Sequence, residues 1–346
     1  MVHASVIIPF RGDAATLLWT LDGFALQSLP NDISLDVRVG GDGCDPPVYT
    51  PPKETCNSRI RFSLSSLPRS GVGGAKNLLV HGINSDVLIF TNADTRPDAG
   101  FAAAHVRRLM SLPQGCMVLG SSPYESSERK TVFDVLKEES PMVFFYDRLE
   151  PNRFYDYRHA WNLNVSVRLS DFQRAGGFST ELRPYGYEDL DFAFKVMGEK
   201  ASVCYDPEAR AMHRHPMTPD QYLDREEALG SVAPNLHRVN RQVFESLFGS
   251  SDLDSVADGY RSWISMDVAS HRWTYQRLRE WVDEPEQSLG MIGSNERRRL
   301  LMTLYQMHVP LKRLAFRLGF LRGLELMDDS RWQERGSKGL WREAIR

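Results

Sequence analysis

The sequence predicts an open, mostly parallel α/β sheet flanked by helices and followed by a helical C-terminal extension. Short runs rich in Val, Ile and Leu alternate with amphipathic stretches as far as about residue 120, and Gly, Pro and Asp crowd the junctions between them. Strands buried on both faces read as such near-continuous apolar runs, and the stretches between them supply crossover helices. From Pro216 to Arg346 the composition turns helical, charged and rich in Trp and Arg, with no strand pattern. The expected division is therefore a domain over residues 1–216 and an extension over 217–346.

The expected strands are Ala4–Ile8, Ile33–Val39, Arg61–Leu64, Asp86–Phe90 and Met117–Leu119. Thr16–Leu26, Gly74–His81 and Phe101–Leu109 carry helical periodicity between them. The stretch from about Ser121 to Ala160 has no readable pattern. Asn162–Val167 is the next strand, leading to a helix start at Ser170-Asp171-Phe172 and then to Gly176-Gly177-Phe178. Tyr185-Gly186-Tyr187-Glu188-Asp189-Leu190-Asp191 opens a periodic segment ending at Gly198, so its carboxylates fall in a helix's first turn. Ala201–Tyr205 is the last expected strand, with His213-Arg214-His215 beyond it.

With 346 residues, 42% of them hydrophobic, the chain can bury a sizeable core. Lys and Arg total 42 against 45 Asp and Glu, a formal net charge of -3, which gives no excess to draw nucleic acid. Cys44, Cys56, Cys116 and Cys204 are scattered without a C-x-x-C spacing, the pattern of reduced thiols in a cytoplasmic protein. No secretory signal pattern and no apolar run of membrane-spanning length is present. The expectation is a cytoplasmic, soluble protein, at most peripheral at the inner membrane face.

In an open α/β sheet, ligands bind beyond the carboxyl ends of the strands, where loops converge and helix N-termini present unpaired N–H groups. The loops expected there hold Pro9-Phe10-Arg11-Gly12-Asp13, Gly41-Asp42-Gly43-Cys44-Asp45 and Asn92-Ala93-Asp94-Thr95-Arg96. Taken singly, an Asp after a strand is most often a turn former or a helix cap. Asp42, Asp94 and Asp189 gain weight because separate elements carry all three to one sheet edge. From its place after Val87-Leu88-Ile89-Phe90, Asp94 can hold a divalent cation that bridges two phosphates, and a histidine from His213-Arg214-His215 can join it. Glu188-Asp189 fits a general base for a hydroxyl nucleophile, or equally an acidic first turn that complements a helix dipole. Gly71-Val72-Gly73-Gly74-Ala75-Lys76-Asn77 does not follow the first strand and lacks the third glycine of the dinucleotide fingerprint. Its glycines suit a close approach of backbone to a nucleotide, with Lys76 reaching a phosphate or base.

Taken in order, these blocks resemble the family 2 glycosyltransferases of GT-A fold, over about residues 4–216. Ser5-Val6-Ile7-Ile8-Pro9 resembles the family's opening strand. Gly41-Asp42-Gly43-Cys44 resembles its Asp-Asp-Gly-Ser loop, with Gly41 departing from the first acidic position. Gly74-Ala75-Lys76-Asn77 resembles its Ala-Arg-Asn helix start, and Asn92-Ala93-Asp94 stands where the family has Asp-x-Asp, with Asn92 departing from the first carboxylate. Gly176-Gly177-Phe178 followed by Glu188-Asp189 resembles its acceptor-side signature. The resemblance implies an inverting transfer of a sugar from a nucleoside-diphosphate sugar to a hydroxyl acceptor, assisted by Mn2+ or Mg2+. It assigns nucleotide contacts to Pro9, Phe10, Arg11, Asp42, Lys76, Asn92 and Ala93, and metal ligation to Asp94 with His213 or His215. Asp189, or else Glu188, is the implied base. A UDP-sugar is the favoured donor, and the acceptor, whether carbohydrate, lipid-linked or another hydroxyl compound, stays open.

Two alternatives remain at this point: a nucleotide-sugar-binding homologue that has lost catalysis, motivated by Gly41 and Asn92, and a sugar nucleotidyltransferase. The second lacks the Gly-rich basic loop it would need after Phe10. In the extension, Val309–Leu326 mixes Leu and Phe with Lys312, Arg313, Arg317 and Arg322. Its basic residues are not confined to one face, which favours packing over a membrane surface, with homo-oligomerisation a third use.

Overall fold

The computed structural model describes residues 1–55, 57–125, 130–183, 186–266, 268–290, 292–327 and 339–346. The chain forms two compact units, one of residues 1–125, 148–180 and 188–215, the other of residues 126–147, 181–187 and 216–346. Tyr185 and Cys56 lie outside the described residues; Cys44, Cys116 and Cys204 are free thiols.

In chain order the first elements are β1 (Val2–Phe10), α1 (Ala14–Ala25), β2 (Ile33–Asp42), β3 (Ile60–Leu67), α2 (Gly71–Val80), β4 (Val87–Thr91), β5 (Thr95–Pro97), α3 (Phe101–Ser111) and β6 (Met117–Ser121). They continue with α4 (Val132–Glu139), β7 (Phe154–Tyr155), β8 (Asn164–Arg168), α5 (Leu169–Arg174), α6 (Glu188–Met197) and β9 (Val203–His213). All of these except α4 belong to the first unit. The sheet runs β3-β2-β1-β4-β8-β6-β9-β5, with β7 paired to β9. β1, β2, β3, β4, β6 and β9 point one way, while β5, β7 and β8 run against them. The mostly parallel sheet expected from the apolar runs is therefore present, with helices packed on it.

The strands outlast their apolar runs, because backbone pairing continues where the side chains become small. β1 and β2 stay in register through Pro9↔Gly40 and Phe10↔Gly41. Pairing of β1 with β4 ends at Ile7↔Phe90, so Pro9 sits where a missing N–H is tolerated. Gly41 is held close to the carbonyl of Cys44, in space that a Cβ would need. A larger residue there would displace the turn, which accounts for glycine where the resemblance has an acid.

A polar hub braces the reversed strand β8. His105 and Asn164 are fully buried, with His105 Nε2 at 2.7 Å from Asn164 Oδ1 and Nδ1 at 3.0 Å from Ser166 Oγ. The Asn164 amide donates to the carbonyls of Ser121 (3.1 Å) and Ala209 (2.8 Å), so its oxygen is left to accept and His105 carries its proton on Nε2. Burial pushes the His105 pKa down to about 4, which keeps the ring neutral near pH 7. Gly120 lies against this amide and has no room for a Cβ. Asn164→Ala leaves one N–H and two carbonyls unpaired in the core, and unsatisfied groups cost about 1–3 kcal/mol each. The expected result is a lower urea midpoint at unchanged m-value, worth at least about 3 kcal/mol.

The second unit is helical: α4 joins α7 (Pro219–Val239), α8 (Arg241–Phe248), α9 (Leu253–Met266), α10 (Val268–Val282), α11 (Ser294–Leu326) and α12 (Leu340–Ala344). Thr218 and Gln221 form a capping box at the start of α7, with Pro219 at its first position. α7 and α11 cross with backbones almost touching. Gly230 faces the Phe316 carbonyl, Gly319 the Glu227 carbonyl and Gly323 the Ser231 carbonyl, each too close for a Cβ. Leu311, Leu314, Ala315 and Phe320 of the Val309–Leu326 segment are buried there. α12 docks on α7, the Trp341 N–H donating to Glu227 (3.1 Å) and Arg342 gripping both oxygens of Asp224 (2.5 and 2.8 Å). Among the described residues, no helix is long and apolar enough to cross a membrane.

Candidate active site

Asp94 leaves the carboxyl end of β4, and the short strand β5 that follows pairs Thr95 with His213 at the end of β9. This pairing builds the site. β9 runs well past the expected end at Tyr205, through Asp206, Pro207, Glu208 and Arg210, whose polarity hides it in sequence. It is held by β6 as far as Arg210, with a shift in register after Asp206, and by β5 at its end.

His213 Nε2 lies 3.4 Å and His215 Nδ1 3.1 Å from the same oxygen of Asp94. The two imidazoles stack at 5.2 Å and 19°. One ligand atom from each of Asp94, His213 and His215 falls within 4.8 Å of the others, close enough to share a single ion. Burial by itself raises the Asp94 pKa, but hydrogen bonds and charge from His213 and His215 outweigh it and hold the carboxyl well below the usual carboxylate range. A carboxylate that stays ionised beside two imidazoles fits a divalent cation of mixed oxygen and nitrogen preference such as Mn2+.

The backbone around the cluster is tied down from several sides. Arg214 N donates to the Asp94 carbonyl (2.8 Å), Thr20 Oγ1 to the Ala93 carbonyl (2.8 Å), and His213 N to the Pro123 carbonyl (2.9 Å). Asn92 and Ala93 are half-buried in the turn between β4 and β5. Arg214 turns its guanidinium onto Glu125, with Nε at 2.5 Å and Nη2 at 2.8 Å, and lies 3.9 Å above the Trp19 ring. Glu125 and Trp19 carry no sequence signal; only the fold brings them to Arg214.

The nucleotide-side residues separate. Arg11 is exposed at the end of β1, beside half-buried Pro9 and buried Phe10. Asp42 accepts from the backbone N–H groups of Ser70 (2.5 Å) and Gly71 (3.1 Å), and so caps α2 in place of the Ser70 side chain, which makes no cap bond. Lys76 is 1% exposed, with Nζ 5.1 Å from the Phe178 ring and 5.9 Å from the Phe90 ring. Burial lowers its pKa while the charges of Glu188 and Asp189 raise it, so it answers to the acid pair.

Asn77 and the Gly-Gly-Phe segment are locked together: the Asn77 amide donates to the Phe178 carbonyl (2.9 Å) and accepts from its N–H (2.9 Å). Phe178 in turn packs on Phe90, Phe172 and Phe192. This anchors the start of α6, whose first turn holds Glu188, Asp189 and Asp191. Asp191 is buried and paired with Lys195 at 2.7 Å, a structural role. Glu188 is 5% exposed, whereas Asp189 keeps part of its surface open. Burial, and then the charge of Glu188, push the Asp189 pKa up to about 7; Lys76 and backbone N–H groups act in the other direction.

No known family profile matches the chain, and no curated protein sequence does. Solved structures similar to it include the following three. S. aureus TarS 1-349 is 13% identical with a TM-score of 0.43, over 91% of this chain and 90% of that one. The mannosyltransferase PcManGT from Pyrobaculum calidifontis, solved with GDP-Man and Mn2+, is 15% identical with a TM-score of 0.45, over 94% and 87%. GalNAc-T7, solved with UDP, GalNAc and Mn2+, is 13% identical with a TM-score of 0.43, over 66% and 48%. At such identities and scores, the functional case rests on the residues of this chain.

Proposed function

We propose that the chain is an inverting glycosyltransferase that uses a nucleoside-diphosphate sugar and a divalent cation, with Asp94, His213 and His215 as the cation's protein ligands. The observation that carries this reading is the convergence of those three side chains beyond the carboxyl end of β4, where an open α/β sheet receives its ligands. A bound cation supplies charge neutralisation for a departing diphosphate. Asp189 accepts the proton of the acceptor hydroxyl as it attacks the anomeric carbon from the face opposite the leaving group. A carboxylate with a pKa near neutrality suits that task, being deprotonated at working pH yet basic enough to take the proton. Lys76, beneath the acid pair, offsets its charge. The Glu188-Asp189 pair, with the Asp189 pKa raised towards neutrality, favours an active enzyme over a homologue that only binds donor.

A thermal-shift screen of nucleoside diphosphates and nucleotide sugars, with and without Mn2+, tests this reading, with UDP compounds first. Ligand at 100 times Kd adds about 2.7 kcal/mol to stability. The expected result is a rise of several degrees for one nucleotide only when Mn2+ is present. No shift with any nucleotide in Mn2+ would overturn the reading.

A further inference from the structure

We propose that Glu125, Arg214 and Trp19 form a clamp that positions His213 and His215, so that cation affinity depends on side chains that never touch the cation. This inference rests on the reading of Asp94, His213 and His215 as a cation site.

The argument starts from the backbone. β9 ends at His213, and residues 214–218 have no regular structure, so no strand ladder fixes His215. Along an extended chain successive side chains point to opposite faces. His213 and His215 therefore share one face, and Arg214 projects from the other. Whatever holds the Arg214 side chain sets the twist of the segment, and with it the separation and tilt of the two rings.

Arg214 is held unusually well for a residue in such a segment. Its fork meets both oxygens of Glu125, and the guanidinium plane lies over Trp19, an arrangement that lysine cannot reproduce. Glu125 is itself registered to the strand, its N–H donating to the His213 carbonyl at 2.9 Å. The preceding Tyr124 stacks on the His213 ring at 5.3 Å and 25°, so a run of three rings, Tyr124, His213 and His215, is fixed at both ends of the clamp. Glu125 also neutralises a cation that would otherwise stand between two ligands of a dication. Both effects favour metal binding without contact, as groups that orient metal-ligating histidines do.

Mn2+ binding measured directly, by the electron paramagnetic resonance signal of free Mn2+ during titration of the nucleotide-free protein, tests the clamp. Arg214→Lys keeps the charge but loses the fork and the stacking; Glu125→Gln keeps the size but loses the neutralising charge. Both are expected to weaken Mn2+ binding by about 10–100-fold, the effect typical of groups one shell from a metal. The melting temperature without Mn2+ is expected to stay close to that of the parent protein, a split that a merely structural role would not give. Affinity within twofold of the parent for both variants overturns the clamp, as does a loss that follows the fraction of unfolded protein. Failure of the parent protein itself to bind Mn2+ overturns the cation-site reading on which the clamp depends.

Discussion

Asp189→Asn is expected to abolish sugar transfer while leaving donor binding intact, a fall in rate of about 10²–10⁴-fold, the range contributed by a positioned general base. The carboxylate stands at the N-terminus of α6, a place that ordinarily favours the ionised form. Its pKa nevertheless rises to about 7, because burial and the neighbouring Glu188 charge outweigh Lys76 and the backbone N–H groups. The base works only when deprotonated, so the rate of the parent protein should climb as pH rises through about 7 and level off above it. Asp189→Asn should lose that limb, along with the activity. Stability moves the opposite way. The folded pKa lies above the ordinary 3.8, so the contribution of this group is full below about 3.8 and is lost as pH rises towards 7. Asp189→Asn should flatten the dependence of melting temperature on pH over that window. Initial rates across pH, with donor affinity measured alongside, check both. Retained activity in Asp189→Asn with activity lost in Glu188→Gln would move the base one residue back.

How far the sequence reveals this site depends on what each signal encodes. Val87-Leu88-Ile89-Phe90 reads as a strand buried on both faces because the apolar run is short, rich in β-branched and aromatic residues, and bounded by Asp86 and Asn92, and Asp94 follows it at a loop's distance. Thr95-Arg96-Pro97 declares nothing: three residues with a charge and a proline form a strand only because His213 lies opposite. The far end of β9 is hidden in the same way, since its hydrogen bonds come from partners distant in sequence rather than from its own side chains. Roles are harder to read than positions. Asp42 sits where a nucleotide contact was expected, yet its oxygens are engaged by the N-terminus of α2. Lys76 reads as a phosphate ligand from its glycine-rich surroundings, and the fold turns it inward beneath Phe178 instead. α4 could not be read because its apolar face is completed by α10 and α11, more than a hundred residues downstream.

Asp94→Ala is expected to remove cation binding almost entirely. Residues one shell away from a metal change affinity by about 10–100-fold, and loss of the carboxylate ligand should exceed that range. Asp94 is the only acid in the cluster, so its removal leaves two imidazoles and no carboxylate to offset a dication. It is also the hub of the cluster, since one of its oxygens meets both imidazoles and its carbonyl holds the backbone of Arg214. The carboxyl is held below its ordinary pKa of 3.8, so its stabilising contribution is present above that value and fades as pH falls through the lowered one. The variant should therefore show a lower melting temperature at neutral pH and a shallower acid limb. Nucleotide binding separates the two losses. With Mn2+ present, the parent protein should bind nucleoside diphosphate more tightly than without it, whereas Asp94→Ala should bind equally weakly in both conditions. A variant that kept the Mn2+ enhancement would place the cation elsewhere and detach His213 and His215 from the chemistry.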